Sequence, residues 1–377
     1  MTALESEMLP DKSVAVVLGT RPELIKLAPV IHRLGRAAWV LHTGQHFSSS
    51  LAAVTSTAVR LPPPDVELAI GGLDRGRQIG RAVAELSDLL AEAEPRPRAV
   101  VVQGDTNSTL AGAIAANSVG LPLVHIEAGL RSFDREMPEE HNRVLTDHLA
   151  DLCCAPTHVN VENLRAESIS DKRIALTGNT IVEAVHALLP PPGERRRLLD
   201  RMNLENRRFV VTTIHRPENT DDVDALEALL TALNDLEFPV LFPIHPRTEQ
   251  RIDQFNLRHL LGGIRVVAPM AYNDFLSIAM SASLWISDSG GLQEEASILK
   301  RPVVIVRKST ERPEVVGTFA ALTSTGSDLP RLISEMLVRG SDPSRLESVP
   351  TPYGDGRASE RIVDQITSLA SRSNDSD

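Results

Sequence analysis

Cysteine is nearly absent, with two in 377 residues. Cys153 and Cys154 are adjacent, inside the apolar run Leu152-Cys153-Cys154-Ala155. Neighbouring strand residues face opposite sides of a sheet, so this pair is badly placed for a disulfide or for joint metal binding. A disulfide scaffold is excluded, and buried thiols in a reducing cytoplasm are expected. Long apolar runs are missing too. None approaches the ~18 residues of a membrane span, and Met1 to Ser13 is polar and acidic, so no secretory or membrane segment is expected. An excess of positive charge is also missing. The 39 Lys and Arg stand against 50 Asp and Glu, a net charge of −11, which argues against nucleic acid as a partner. There is no Gly-rich dinucleotide fingerprint and no Walker lysine motif. No Gly-x-Ser-x-Gly elbow surrounds Ser289, and no cysteine pair completes a zinc site on His125 and Glu127.

What remains is a globular composition, 42% hydrophobic and 24% charged, at a length that suits two domains. Short β-branched runs alternate with helical patterns. Strands are expected at Val14–Leu18, Trp39–His42, Ala99–Val102, Leu123–Ile126, Asp151–Ala155 and Ile174–Leu176. Helices are expected at Pro22–Leu34, Arg77–Ala91, Thr106–Ala116, Glu139–Leu149 and Val159–Ser168. Leu188 to Arg197, with three prolines and an Arg cluster, reads as a linker. A second series follows, with strands Phe209–Ile214, Val240–Ile244, Ile264–Val267, Leu284–Ser287 and Val303–Val306. Its helices are Asp222–Leu233, Arg247–Phe255, Asn273–Ala282 and Leu292–Lys300. The fold class is α/β: two Rossmann-like, doubly wound domains. Residues 1–187 form the first domain, with a C-terminal helix at about 356–371 packing back on it, and 188–355 form the second.

Such sheets bind ligands beyond the carboxyl ends of their strands, and the polar residues of this chain gather there. Gly19-Thr20-Arg21-Pro22-Glu23 and Lys26 follow the first strand, where Arg21 and Lys26 can reach a phosphate. Thr43-Gly44-Gln45-His46 follows the second, with His46 either a binding residue or a polar loop residue. Gly104-Asp105-Thr106 follows the third, and Asp105 is an N-cap, a site carboxylate or both. His125 to Arg131 places Glu127 at the end of a buried strand, where a lone carboxylate is costly. Pro138 opens a helix on which Glu139 and Arg143 share a face, as a surface ion pair or as site residues. Carboxylates brought together can split into one acid and one base. In the second half, His215 is a phosphate ligand or proton donor, and Arg216 pairs with Glu218 or joins it. Asp288-Ser289-Gly290-Gly291 runs straight into a helix bearing Glu294 and Glu295. Two glycines, a serine and free helix-start amides make an anion site there. Arg307 and Thr310-Glu311-Arg312-Pro313-Glu314 complete the series with charge suited to a diphosphate.

These motifs, with Gly178-Asn179-Thr180, run in order from about residue 14 to 325 and resemble the non-hydrolysing UDP-N-acetylglucosamine 2-epimerases. The resemblance implies a GT-B-like pair of domains with a UDP-sugar in the cleft between them, a homodimer, no metal and no nicotinamide. It implies an isomerase that interconverts UDP-GlcNAc and UDP-ManNAc. The C2 proton leaves, UDP is eliminated to give bound 2-acetamidoglucal, and UDP adds back with a proton delivered to the opposite face. By motif match, Asp105, Glu127 and Glu139 fall at acid/base positions. Arg21, Lys26, His215 and Arg312 fall at diphosphate positions, His215 counting also as catalytic. Ser289, Gly290 and Glu295 fall at UDP-binding positions, and Arg143 orients Glu139 or touches substrate. Phe47-Ser48-Ser49-Ser50 and Gly71-Gly72 depart from sequences that in regulated members help bind a second, activating UDP-GlcNAc, so activation by substrate is not expected. The short loop from Arg131 to Pro138 leaves a related UDP-2-acetamido sugar open as substrate. A GT-B glycosyltransferase would need an acceptor and not three carboxylates; a non-catalytic UDP-sugar binder would need none of them.

Overall fold

Strands buried on both faces need continuous apolar sequence, and this chain supplies it. The computed structural model describes residues 9–45, 58–204, 208–324, 328–340, 342 and 344–372. Its internal contacts divide it into two units, Met1–Ala184 with Tyr353–Asp377, and Val185–Pro352. The first unit holds β1 (Val14–Leu18), β2 (Ala38–His42), β3 (Val66–Glu67), β4 (Ala99–Gln103), β5 (Leu123–Ile126), β6 (Leu152–Ala155) and β7 (Ile174–Leu176). They form one sheet in the order β3-β2-β1-β4-β5-β6-β7. The second unit holds β8 (Val210–Thr213), β9 (Val240–Pro243), β10 (Ile264–Val267), β11 (Leu284–Ser287), β12 (Val303–Val306) and β13 (Ala320–Thr323), in the order β10-β9-β8-β11-β12-β13. All pairings are parallel. Each unit is therefore a Rossmann-like doubly wound sheet, as the alternating pattern led us to expect.

The order reverses between β1 and β4 in one unit and between β8 and β11 in the other. Loops leaving these neighbouring strands turn to opposite faces, which opens a crevice at the strand ends. The helix Asn107–Ser118 lies close over the first reversal because it is built of small residues. A Cβ on Gly112 would sit 2.9 Å from Val102 Cγ1 and 3.1 Å from Val17 Cγ1, so a side chain there would push the helix off β1 and β4.

Several expectations need correction. The segment expected as a linker is helical from Pro192 to Arg201. Pro192 sits at the first helical position, where its missing N–H costs nothing. β3 and β13 were not anticipated. β3 is two residues long, and β13 reads Ala-Ala-Leu-Thr, without a β-branched run. The helices Ile181–Leu188 and Leu329–Gly340 were also not anticipated. The last helix, Ala358–Arg372, packs on Arg21–Leu34 in the first unit, with Arg33 Nε donating to Ser359 Oγ at 2.8 Å. Cys153 and Cys154 are buried and unbridged, and burial pushes the Cys154 thiol up to about 12. No helix among the described residues is long and apolar enough to cross a membrane.

Candidate active site

Glu127 follows β5 directly and has φ +69°, a left-handed conformation that costs a residue with a side chain about 1–3 kcal/mol. The bend leaves its carboxylate, in a residue 5% exposed, among charge-matched partners. Lys26 Nζ lies 2.6 Å from Oε1, and Gln103, the last residue of β4, donates to Oε2. Lys26 is thus buried against a carboxylate instead of standing open to a phosphate.

Asp105 follows β4. It is not the N-cap: the Thr106 hydroxyl takes that role for Asn107–Ser118, accepting from Thr109 N at 3.1 Å. Asp105 is instead gripped by Arg143, whose Nε lies 3.2 Å from Oδ2 and whose Nη2 also donates to it. Arg143 is 2% exposed, and its other arm pairs with Glu140. Glu140 in turn accepts from Ser132 N at 3.0 Å, Ser132 Oγ at 2.9 Å and Phe133 N at 2.9 Å. The expected Glu139–Arg143 pair does not form. Arg143 lies on the buried face of the helix Pro138–Leu149, with Glu140 and not Glu139. Glu139 is half-buried in the first turn and makes no hydrogen bond or ion pair among the described residues. The Glu127 carboxylate sits 3.8 Å from where a Cβ of Gly104 would be, beside the residue that precedes Asp105. Asp105, Glu127 and the start of the Glu139 helix are therefore tied into one end of the sheet.

Glu23 escaped the sequence analysis as a titrating group. Burial raises its carboxyl from 4.5 to about 7, against hydrogen bonds from Thr106, Gly19 N and Thr109. The folded chain keeps a proton that the unfolded chain has released across that window. This stabilising contribution is present below pH 4.5 and is lost as pH rises through 7, a swing of about 3 kcal/mol. Glu23→Gln cannot ionise. Its stability relative to the parent is expected to rise between pH 5 and pH 8, as measured by urea unfolding at both. A difference that stays constant would contradict the assignment.

In the second unit Asp288 follows β11 and is fully buried. Its Oδ2 accepts from His215 N at 2.9 Å, Arg216 N at 2.8 Å and Asn219 Nδ2 at 3.1 Å. Its Oδ1 lies 2.9 Å from His215 Nδ1. Burial pushes the carboxyl up, but the His215 ring and the two amides prevail and hold it below its ordinary value. The Asp–His contact spans β11 and β8, the two strands at the order reversal, and fixes one face of a ring that is 43% exposed. Arg216 Nε donates to Asp288 O at 3.1 Å, so Arg216 serves this loop and does not pair with Glu218.

The helix Gly291–Leu299 starts at Gly290, where a Cβ would sit 2.5 Å from Glu311 Oε1 and 2.9 Å from Arg312 Nη1. Only glycine lets that buried pair lie over the helix start. Ser289 is half-buried beside it, its amide donating to Ser287 Oγ at 3.0 Å. Both carboxylates of the helix already have side-chain partners. Glu294 accepts from Arg312 Nε at 2.7 Å, and Glu295 accepts from Tyr272 OH at 2.6 Å. Arg312 is 8% side-chain exposed and also pairs with Glu311, which lies 2.9 Å from Arg307. Arg307 and Arg312 thus brace one another's carboxylates. Arg21 is half-buried at the start of its helix, and His46 lies outside the described residues. Glu23 and Asp288 stood inside the quoted motifs without a role; for Gln103 and Asp288 a polar residue at a strand tip followed by a helix is the signal, whereas Glu23 lies in the first turn of its helix.

Residues 33–367 match the family model for UDP-N-acetylglucosamine 2-epimerase. A UDP-N-acetylglucosamine 2-epimerase of Methanococcus maripaludis is 39% identical over 365 residues, 94% of this chain and 98% of its own length. A UDP-2,3-diacetamido-2,3-dideoxy-D-glucuronate 2-epimerase of Pseudomonas aeruginosa is 34% identical over 364 residues, 94% of this chain and 99% of its own. The crystal structure of the Methanocaldococcus jannaschii UDP-GlcNAc 2-epimerase, in complex with UDP-GlcNAc and UDP, is 36% identical. It superposes with a TM-score of 0.85, covering 94% of this chain and 99% of that one. A family model matched over residues 33–367 and a relative 39% identical over 94% of the chain mean that the chain belongs to the UDP-N-acetylglucosamine 2-epimerase family.

Proposed function

We propose that the protein is a non-hydrolysing epimerase of UDP-GlcNAc, interconverting it with UDP-ManNAc. The observation that carries this is the pair of strand-end carboxylates, Asp105 and Glu127, each held by its own buried cation. One carboxylate takes the C2 proton. The C2–H electron pair forms the C1–C2 double bond, the C1–O bond breaks, and UDP leaves with the C1–O bonding pair. In the return step UDP adds to C1, and a carboxylate delivers a proton to the other face of C2. A weakly acidic C–H needs a positioned base and a stabilised leaving group. Asp105, Glu127 and Glu139 supply the proton transfer. His215, held by Asp288 through one nitrogen, is assigned to the departing diphosphate, and Arg21 is assigned to phosphate by the motif match alone. Ser289, Gly290 and the helix start they lead into take the nucleotide, while Lys26, Arg312 and Glu295 hold these groups in place. Arg143 orients Asp105. The resemblance also supports a homodimer, checked by light scattering on a sizing column, and a cytoplasmic enzyme whose two thiols stay reduced.

Proton NMR of UDP-GlcNAc with the protein in D2O tests the reading. Deuterium entering C2, with UDP-ManNAc signals and no accumulation of free UDP, is expected. ManNAc with free UDP would mean hydrolysis, and no exchange would move the assignment to a related UDP-2-acetamido sugar, such as the diacetamido uronate of the Pseudomonas relative's name. Because Gly71-Gly72 departs from the pattern of substrate-activated members, initial rates are expected to follow UDP-GlcNAc hyperbolically. A sigmoidal curve would refute that.

A further inference from the structure

Behind the two strand-end carboxylates lies a second set of charges that the proposed reaction does not use. His125, within β5, and Asp147, on the helix Pro138–Leu149, are both fully buried. His125 Nδ1 lies 2.6 Å from Asp147 Oδ1, and Nε2 lies 2.8 Å from Gly104 O. A backbone carbonyl can only accept. The Asp147 carboxyl, pushed up by burial but held down more strongly by His125 and Arg131, stays ionised and can only accept as well. The ring therefore donates from both nitrogens. Asp147 Oδ2 accepts from Gly129 N at 3.1 Å and pairs with Arg131 at 2.8 Å. Arg131 is bidentate to Glu167, with both bonds at 2.6 Å. His125 and Arg131 thus meet the two oxygens of Asp147, and Arg131 reaches on to the partly exposed Glu167.

This set grips the backbone on both sides of the proton-transfer groups. Gly104 precedes Asp105, and Gly129 lies two residues past Glu127. Past the last backbone link between these strand ends, Gly104 N to Ile126 O at 3.0 Å, side chains bind the two turns together. We propose that His125 is a positioning residue which, donating from both ring nitrogens, locks the Gly104–Asp105 turn and, through Asp147, the Glu127–Gly129 turn into one spacing. The proposal rests on the reading that Asp105 and Glu127 handle the C2 proton. A reacting group displaced by about 1 Å can cost as much as 100-fold in rate, so a device that fixes this spacing acts on the chemical step and not on nucleotide binding.

Two variants separate the two donations. His125→Gln keeps a donor near the Nε2 position for Gly104, and His125→Asn keeps one near the Nδ1 position for Asp147. Each is expected to lower kcat for C2 deuterium exchange at least tenfold, with KM for UDP-GlcNAc within about twofold of the parent. Crystal structures of the variants are expected to show the Gly104–Asp105 turn displaced in one and the Glu127–Gly129 turn in the other. In the parent protein, 15N NMR of labelled histidine is expected to show both His125 nitrogens carrying the protons that Gly104 O and Asp147 accept. Near-parental kcat in both variants, unmoved turns or a singly protonated ring would each overturn the proposal. If either variant fails to fold, the other variant and the NMR measurement on the parent still decide it. A parent that converts no UDP-GlcNAc overturns the functional reading instead, and the turn positions and ring protonation then judge the positioning role without turnover.

Discussion

Glu127→Gln is expected to lower kcat by about 10²–10⁴-fold, the usual contribution of a positioned acid or base. KM for UDP-GlcNAc should change little, because Glu127 is assigned to proton transfer and the nucleotide to Ser289, Gly290 and the helix start they lead into. Deuterium wash-in at C2 should fall in parallel with net epimerisation, since both need the same proton transfer. The substitution keeps the side chain's shape and one acceptor oxygen. The second oxygen, which accepts from Gln103, becomes an amide facing an amide. Folding stability should therefore drop by about 1–3 kcal/mol, the cost of an unsatisfied buried polar pair. Urea unfolding measures that cost separately from kcat. If wash-in continues at the parental rate while stability falls, Glu127 is a structural brace for Lys26 and the proton passes elsewhere. Asp105→Asn is the matched comparison. Its carboxylate is 31% side-chain exposed and gripped from one side by Arg143, so the same loss of kcat is expected with a smaller loss of stability.

Asp288→Asn is expected to cut kcat by about 100-fold or more, with the loss lying in the departure and return of UDP. An aspartate that holds one ring nitrogen of a histidine fixes the tautomer presented by the other, and an asparagine there can hold the wrong one. Asp288 also accepts from two loop amides and from Asn219, so the substitution loosens the loop that follows β8. The pH dependence gives a second readout. The folded-state value lies below the ordinary 3.8, so the stability that Asp288 contributes is present above 3.8 and is lost as pH falls through the folded value. Acid unfolding of Asp288→Asn should start from a lower stability and depend less on pH below 4. Parental kcat would mean that the His215 ring takes no part in the reaction. A parental acid limb would mean that the contact does not persist in solution.

Much of this architecture was legible in the chain. Unbroken runs such as Val14–Leu18 and Val303–Val306 fit only strands covered on both faces, and helical patterns between them fit only parallel crossovers. Polar residues just past those runs had to lie at the carboxyl edge of a sheet, which is where Asp105, Glu127 and His215 stand; Asp288 stands there too, without a role having been read for it. Short or unbranched strands were not legible. Val66–Glu67 and Ala320–Thr323 exist because a neighbouring strand offers a ladder, which no local pattern announces. Partnership was not legible either. Helical spacing suggested Glu139 with Arg143, but a buried guanidinium takes whichever carboxylates share its side of the helix, here Glu140 and Asp105. The same holds for Arg312, whose sequence position suggests a free cation and whose surroundings make it an ion-paired brace.

The sequence by itself determined the two doubly wound sheets, the edge to which the proposed chemistry is assigned and the residue types available there, because periodicity and strand-end position are local properties. Only the tertiary structure decided which carboxylates stand ready to react and which are consumed in holding others. The Glu23 carboxyl is raised to about 7 because the fold buries it. Glu127 takes a left-handed bend because Lys26 and Gln103 meet it there. Both nitrogens of His125 are engaged because Asp147 and Gly104 O reach it from separate segments. Each outcome depends on desolvation and on partners distant in the chain, and neither is written in the residues alongside.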